Sequence, residues 1–286
     1  AQRNWRYEQN YRFETRVLNT PSSSSHEQIT VTSALRTGEF IAVANRTAGL
    51  FDDLKYDETD GVKQTHLIMQ SLDKSLRSVG ASLQDSIKLE SYYFGTSRKE
   101  WSPLAMARAD YFKEPGPPAT AIPYNDILPY GSKTKVGALA MRELRNTYDK
   151  YIPREDSWPP RVWDWQLNLP WRQAQKLRGM VWLGGQVPAE PFSNTGKRML
   201  PGELLPQTRF TMSYVEDLLR PFKCKTSDIK LLVCYFQKSN DENIINKMLE
   251  LLRNCCGGVL PPLTLVPVPH MQTPDSTVEI WGVVQS

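Results

Sequence analysis

The stretch Gln64–Tyr93, QTHLIMQSLDKSLRSVGASLQDSIKLESYY, decides the fold because a diverged copy of it recurs as Gln207–Tyr235, QTRFTMSYVEDLLRPFKCKTSDIKLLVCY. Both stretches begin with Gln-Thr and continue with apolar residues at helical spacing. Both then reach an Asp and an Ile-Lys-Leu segment that alternates in polarity as a strand does. The Gln pair and the Asp pair are each separated by 143 positions. A constant offset across a helix and its following loop indicates an internal duplication.

The segments around these stretches repeat as well. Strand-like runs precede the helices at Glu39–Ala44 and Gly179–Leu183, and further helices are predicted at Met106–Phe112 and Ile244–Leu252. A Pro pair and a last strand follow in each copy. We therefore predict an α/β (α+β) chain of two tandem domains, each a mixed sheet covered by two helices. The predicted boundaries are 1–145 for the first domain, 146–169 for a linker rich in Trp and Pro, and 170–286 for the second domain.

Composition restricts the partners. The net charge is only +4, and no block of like charges concentrates it, so nucleic acid is not an expected partner. No apolar run is long enough for a membrane span, and the first residues lack the apolar core of a secretory signal. The four cysteines lie only in the second half, and Cys255 and Cys256 are adjacent, which suits neither a metal site nor a framework disulfide. We expect reduced thiols, no metal and a cytoplasmic protein.

The linker holds several of the eight Trp residues. Two interpretations stay open at this point. The segment is either an ordered connector packed across a domain surface or one wall of a pocket that binds an aromatic compound, and the two are compatible.

The second copy resembles the RidA/YjgF family. The resemblance covers residues 170–286 well and residues 39–140 weakly. It rests on motifs that occur in the family's order: Pro170-Trp171-Arg172-Gln173-Ala174, Gly184-Gly185-Gln186-Val187-Pro188, Thr195-Gly196-Lys197, the helix at Gln207, Ser227-Asp228-Ile229-Lys230, Asn246, Pro261-Pro262 and Val278-Glu279-Ile280.

The resemblance implies chorismate-mutase-like domains that assemble as homo-oligomers, here a trimer or dimer, with small-molecule sites at the clefts between domains. It implies hydrolysis of reactive 2-imino or enamine compounds without metal or organic cofactor. Because no apolar run is long enough for a span, we expect no membrane as a partner. Carried over to this sequence, Glu279 is the catalytic acid that positions water and Asn246 lies near the cleft. Gly184 and Gly185 line it with backbone, and Trp171 replaces a family Tyr.

The family's substrate-binding Arg is missing. Its position falls on Leu263, before Thr264, in the second copy and near Ala119 in the first. Because an apolar side chain cannot replace a bidentate guanidinium, we expect the cleft to be apolar and an ordinary 2-imino acid to be a poor substrate. The first copy also lacks the acid, within Lys135–Ala138, and is expected to supply only an opposing wall.

The predicted site thus comprises catalytic Glu279 and Asn246, with the remaining residues binding substrate: Trp171, Gly184, Gly185, Leu263, Thr264 and His270. His270 is included because the last hairpin could carry it to a cleft. Each also has a purely structural interpretation, as a strand carboxylate, a surface or capping residue, a core residue or a turn glycine.

The leading hypothesis is an enzyme of secondary metabolism. It would act on a reactive imine, enamine or β-keto intermediate, apolar or aromatic, by general acid–base cyclisation, dehydration or deamination. The alternatives are a simple imine or enamine deaminase and a non-catalytic protein that binds a small molecule.

Overall fold

The computed structural model describes residues 11–19, 28–48, 60–128, 131–145 and 148–286. Within these ranges the chain forms two six-stranded sheets, a small two-stranded ribbon and four α-helices. No helix among them is long and apolar enough to cross a membrane.

The first sheet has the spatial order β1-β2-β3-β6-β4-β5. Only the β4–β5 pair is parallel, so the sheet is mixed as predicted. Helix α1 (Gly61–Ser78) follows β3, and helix α2 (Arg98–Ala109) follows β4. The strands are β1 (Tyr11–Asn19), β2 (Gln28–Thr37), β3 (Phe40–Thr47), β4 (Ser86–Tyr93), β5 (Ala119–Pro123) and β6 (Thr134–Met141).

The second sheet repeats this topology. Its order is β13-β12-β14-β11-β10-β9, and the β12–β13 pair is its one parallel pair. Helices α3 (Leu204–Leu219) and α4 (Ile244–Cys255) occupy the places of α1 and α2. The strands are β9 (Glu155–Ser157), β10 (Ala174–Leu177), β11 (Met180–Leu183), β12 (Ile229–Gln237), β13 (Leu263–Val268) and β14 (Val278–Gln285), and the ribbon before them pairs β7 (Glu143–Arg145) with β8 (Tyr148–Lys150). From the parallel pair outward, the two sheets have corresponding strand orders, as expected for a duplication.

Two local details differ from the sequence expectation. Helix α2 begins at Arg98, ahead of the predicted Met106, because the Ser97 side chain accepts a hydrogen bond from the Lys99 N–H and caps it. Strand β9 lies inside the predicted linker and pairs with β10, so this segment adds the edge strand of the second sheet.

Strands β4 and β12 each carry a bulge near their start, at equivalent positions of the two copies. Past the bulges, Tyr92 pairs with Lys135 as Tyr235 pairs with Glu279. Tyr92 and Tyr235 are therefore equivalent, although the Ile-Lys-Leu alignment matched Tyr235 to Tyr93. Their hydroxyl oxygens lie 2.8 Å apart, so equivalent residues of the two copies meet where the domains pack together.

The two sheets pack on each other through their inner faces, and the helices cover the outer faces. Each domain has its own core between sheet and helices. A third apolar cluster lies between the domains and includes Ile87 and Ile122 from the first domain and Trp182, Val233 and Trp281 from the second. The chain thus has four layers, helix–sheet–sheet–helix, and each copy covers the sheet face that the other would expose.

Candidate functional site

A cavity of about 330 Å³ lies where the two domains and the segment between them meet. The first domain contributes residues from α2 and from β5, and the second contributes Glu279 on β14 and the turn after β11. Its lining residues are Arg98, Lys99, Trp101, Ser102, Arg108, Ala119, Thr120, Ala121, Trp163, Asp164, Trp165, Gln166, Leu167, Trp171, Gly185, Val187, Gly196, Arg198, Gln272 and Glu279.

Glu279 is held in the inner wall of this cavity. The backbone N–H of Ala121 on β5 interacts with its carboxylate and acts to lower its pKa. The Gly185 N–H donates to the Ala119 carbonyl at 2.8 Å and fastens the turn of the second domain to β5 of the first. Glycine is required there because a Cβ at position 185 would lie 2.0 Å from Glu279 Oε1. The close approach of this turn therefore makes room for the carboxyl group.

Burial raises the pKa of the Glu279 carboxyl group well above its ordinary value. Only 6% of the residue is exposed, and desolvation raises its pKa to about 7 although Lys88 and Arg198 act in the opposite direction. A carboxyl group with a pKa near neutrality can both donate and accept a proton at physiological pH.

Two buried guanidinium groups face the same space. Arg108 on α2 is 2% exposed, and its Nη1 has no hydrogen-bond partner among the described residues. Arg198 donates from Nη1 to the Gly196 carbonyl at 2.9 Å, while its Nε has no partner in the described part of the chain. Burial lowers the pKa of each to about 10, which leaves both cationic at neutral pH. Such groups are costly unless an anion compensates them.

Four tryptophans line the cavity: Trp101, Trp163, Trp165 and Trp171. Trp163 and Trp165 pack edge to face with ring centroids 5.1 Å apart, and Trp171 packs in the same way on Phe112 at 5.2 Å. The indole Nε1 atoms of Trp101 and Trp163 have no hydrogen-bond partners among the described residues. With the arginines, these indoles form a set of hydrogen-bond donors on aromatic walls, which suits a flat ligand rich in acceptor oxygens.

Polar contacts between three segments close the outer side. Arg98 Nη2 donates to the Gly196 carbonyl at 2.8 Å, and Arg98 Nη1 donates to Gln166 Oε1. Gln166 Nε2 in turn donates to the Thr195 carbonyl. These bonds join α2, the Trp-rich segment and the loop before α3 over the cavity. The Trp-rich segment is thus both a connector and a pocket wall.

The structure brings together part of the predicted site. Glu279, Trp171 and Gly185 line the cavity. Gly184 lies just behind it, where its N–H donates to the Gln173 carbonyl at 2.8 Å. His270 is half-buried nearby, with Nε2 3.0 Å from the Gly95 carbonyl oxygen, and does not line the cavity.

Asn246, Leu263 and Thr264 lie elsewhere. Asn246 is exposed on α4, Leu263 packs against the core of its own domain, and Thr264 is exposed on the edge strand β13. They were grouped with Glu279 because the resemblance of the second copy placed the family's cleft positions on or beside these residues. The cavity instead combines the acid of the second copy with β5 and α2 of the first copy, so Ala119 and Thr120 occupy the wall for which Leu263 and Thr264 were expected.

Aromatic and apolar side chains line much of the cavity, but the predicted apolar cleft did not include the cations that also line it. The family Arg position near Ala119 is indeed empty of charge, but Arg108 reaches the cavity from α2 and Arg198 from the loop before α3. The sequence analysis singled out neither residue: Arg198 directly follows the Thr195-Gly196-Lys197 motif, and Arg108 lies on a helix of the first copy, which the resemblance covers only weakly. The described residues contain no group of three or more side chains suited to hold a metal ion, and the four cysteines are free.

Comparison with known proteins identifies the fold. No family model matches the sequence, and no curated protein matches it either. A crystal structure of a chorismatase matches 88% of this chain and 76% of its own chain, with a TM-score of 0.61 and 16% identity. This match across both domains confirms the predicted tandem α+β fold.

Smaller structural neighbours match about half of the chain. Escherichia coli TdcF with bound serine matches 46% of this chain and 98% of its own, at 21% identity and a TM-score of 0.39. The Rid-family protein YyfA from Yersinia pestis matches 47% of this chain and 100% of its own, at 18% identity and a TM-score of 0.39. The neighbours thus include Rid-family proteins as well as a chorismatase.

Proposed function

We propose that this chain is an enzyme that acts on a small, carboxylate-bearing ring compound, with Glu279 as its general acid and base. One observation carries the proposal. A buried carboxyl group with a pKa of about 7 faces a cavity that is also lined by two buried arginines and by tryptophans with unpaired indole donors. The arginines would bind the carboxylate, the tryptophans would cover the ring, and Glu279 would exchange a proton with the reacting carbon or leaving group.

The chemistry that fits is protonation of an electron-rich double bond. Glu279 would donate its proton to the terminal carbon of an enol ether or an enamine. The resulting oxocarbenium or iminium carbon would add water, and collapse would give a ketone with release of an alcohol or amine. The carboxylate left on Glu279 recovers its proton from the attacking water, so the cycle consumes one water and needs no oxidant or reductant.

Chorismate is the first compound to test, because it carries an enol ether and carboxylates on a ring and because the chorismatase shares the fold across both domains. Imines and enamines with a carboxylate are the second class, since the same proton transfer would hydrolyse them. A reactive biosynthetic intermediate that cyclises or dehydrates on proton transfer would also fit, provided that it is anionic. An apolar substrate would leave Arg108 without a compensating anion, since the one ionisable group that acts on it among the described residues is the phenol of Tyr93.

The test is product release by the intact chain. Pyruvate would mark cleavage of an enolpyruvyl ether and ammonia would mark hydrolysis of an imine or enamine. Glu279→Gln should reduce kcat by about 100-fold or more, because general acid–base catalysis contributes at least that much. Glu250→Gln, at an exposed position on α4, is the matched control and should keep full activity. Binding of anionic ring compounds without turnover would instead establish a binding protein, and an active Glu279→Gln variant would refute the assigned role.

A further inference from the structure

Lys88 is a buried cation behind the cavity that the proposed reaction does not use. It lies on β4 and is 2% exposed. It pairs with Leu139 on β6 as Leu231 pairs with Val283 on β14, so its counterpart in the second copy is the apolar Leu231. An apolar side chain therefore suffices to build this position of the sheet, and the lysine requires a separate explanation.

The ammonium group of Lys88 is fixed by contacts with both domains. Nζ donates to Thr120 Oγ1 at 2.5 Å and to the Leu183 carbonyl at 3.0 Å. It also lies 4.3 Å from the ring centroid of Trp281. Leu183 ends β11 just before the turn that makes room for Glu279. The lysine thus holds the wall behind the catalytic carboxyl.

Thr120 extends this contact into the cavity. Its hydroxyl accepts a hydrogen bond from Lys88, and its residue lines the cavity. A hydroxyl group donates one hydrogen and accepts through its lone pairs. Because the Lys88 ammonium occupies a lone pair of the Thr120 hydroxyl, the hydroxyl hydrogen remains available for another acceptor.

The charged groups around this wall come from three places. Glu90 on β4 and Glu279 on β14 both interact with Lys88, and burial lowers the pKa of its ammonium to about 7. Arg198, from the loop before α3, is the other cation that interacts with Glu279, and Glu90 is the other carboxylate. The phenol of Tyr93 on β4 interacts with Glu279 as well.

We infer that Lys88 is a positioning residue for Glu279: its ammonium stabilises the carboxylate formed on proton donation, and its hydrogen bond directs the Thr120 hydroxyl toward the substrate. The inference rests on the proposed role of Glu279. Lys88 itself does not line the cavity and exchanges no proton with substrate.

The first test measures Glu279 directly, without substrate. The infrared carbonyl stretch of a protonated carboxyl group, assigned by its loss in Glu279→Gln, is followed against pH in the wild-type protein, Lys88→Met and Lys88→Arg. Removal of a nearby cation disfavours the carboxylate, so Lys88→Met should move the midpoint to higher pH by about one unit or more. Lys88→Arg should keep it near the wild-type value. An unmoved midpoint in Lys88→Met overturns the inference.

The second test uses catalysis and a variant that keeps both charges. Thr120→Val should lower kcat by about 10-fold, the worth of one hydrogen bond made in the transition state, with little change in KM. The pH profile of kcat/KM in Lys88→Met should shift in parallel with the infrared midpoint. Wild-type kcat in Thr120→Val would overturn the inference even if Lys88→Met did not fold. Failure of the proposed function would give a different result from either of these. In that case Glu279→Gln would stay active, or its infrared spectrum would show no loss of a carboxyl band relative to the wild type.

Discussion

Replacement of Gly185 by Ala tests whether Glu279 acts from its present position. The new Cβ would lie 2.0 Å from Glu279 Oε1 and 3.0 Å from Thr120 Oγ1. Heavy atoms that are not bonded repel strongly at such separations, so the carboxyl group must retreat by about 1 Å. Gly185 does not use the left-handed backbone region, and the methyl group therefore changes packing alone.

The expected loss follows from this displacement. A misplacement of about 1 Å at a reacting group costs about 100-fold, so kcat/KM should fall by that factor, equivalent to about 2.7 kcal/mol of transition-state stabilisation. The same overpacking should destabilise the fold by about 1–3 kcal/mol. Thermal unfolding shows whether the variant remains folded at the assay temperature.

The assay is kcat/KM for release of pyruvate or ammonia, and Gly184→Ala is the matched control. A Cβ at position 184 would meet the backbone oxygens of Arg172, Ala119 and Gln173, the closest at 3.1 Å, and not the Glu279 carboxyl. It should keep activity within about threefold, since surroundings that are tight rather than overlapping relax at small cost. Equal losses in the two variants, or near-wild-type activity in folded Gly185→Ala, would refute the reasoning.

Three further predictions concern stability and binding. Because the pKa of Glu279 is about 7 in the folded protein against an ordinary 4.5, wild-type stability falls as pH rises between these values. The free energy of unfolding of Glu279→Gln, measured in urea, should therefore exceed that of the wild type by roughly 3 kcal/mol near pH 8 and by much less near pH 4. Arg108→Met should raise the melting temperature while weakening binding of a carboxylate ligand by about 10-fold or more in calorimetry; a lower melting temperature with unchanged binding would contradict this. Tyr235→Phe leaves Glu90 and Tyr92 with fewer partners between the domains and should cost about 1–3 kcal/mol in urea unfolding with kcat unchanged, whereas a fall in kcat would tie this cluster to the site.

The fold was predictable because its determinants are local and occur twice. The Gln-Thr helices, the strands after Asp85 and Asp228 and the Pro pairs give the element order, and repetition distinguishes it from chance. The register follows from the offset of 143 shared by the Gln and Asp pairs, which also relates Tyr92 to Tyr235, whereas the Ile-Lys-Leu pattern is displaced from it by one residue.

The sequence analysis drew its candidate site from the motifs of a single copy. Of those candidates, Glu279, Gly185 and Trp171 line the cavity, and all three come from the second copy. Arg108 comes from the first copy and lies on α2. The sequence of a helix indicates which of its faces is buried, but not which part of the other domain that face contacts. Contacts between the domains depend on how the two sheet faces pack, and the sequence of one copy alone does not predict that packing.

The packing of equivalent tyrosines against each other has a consequence for stoichiometry. The two copies offer two equivalent positions for an acid, yet Lys135 pairs with Tyr92 where Glu279 pairs with Tyr235. Of these two equivalent positions, only the one in the second copy therefore carries an acid. Each chain should bind one equivalent of ligand, and the two halves, which contribute different parts of that cleft, are no longer interchangeable.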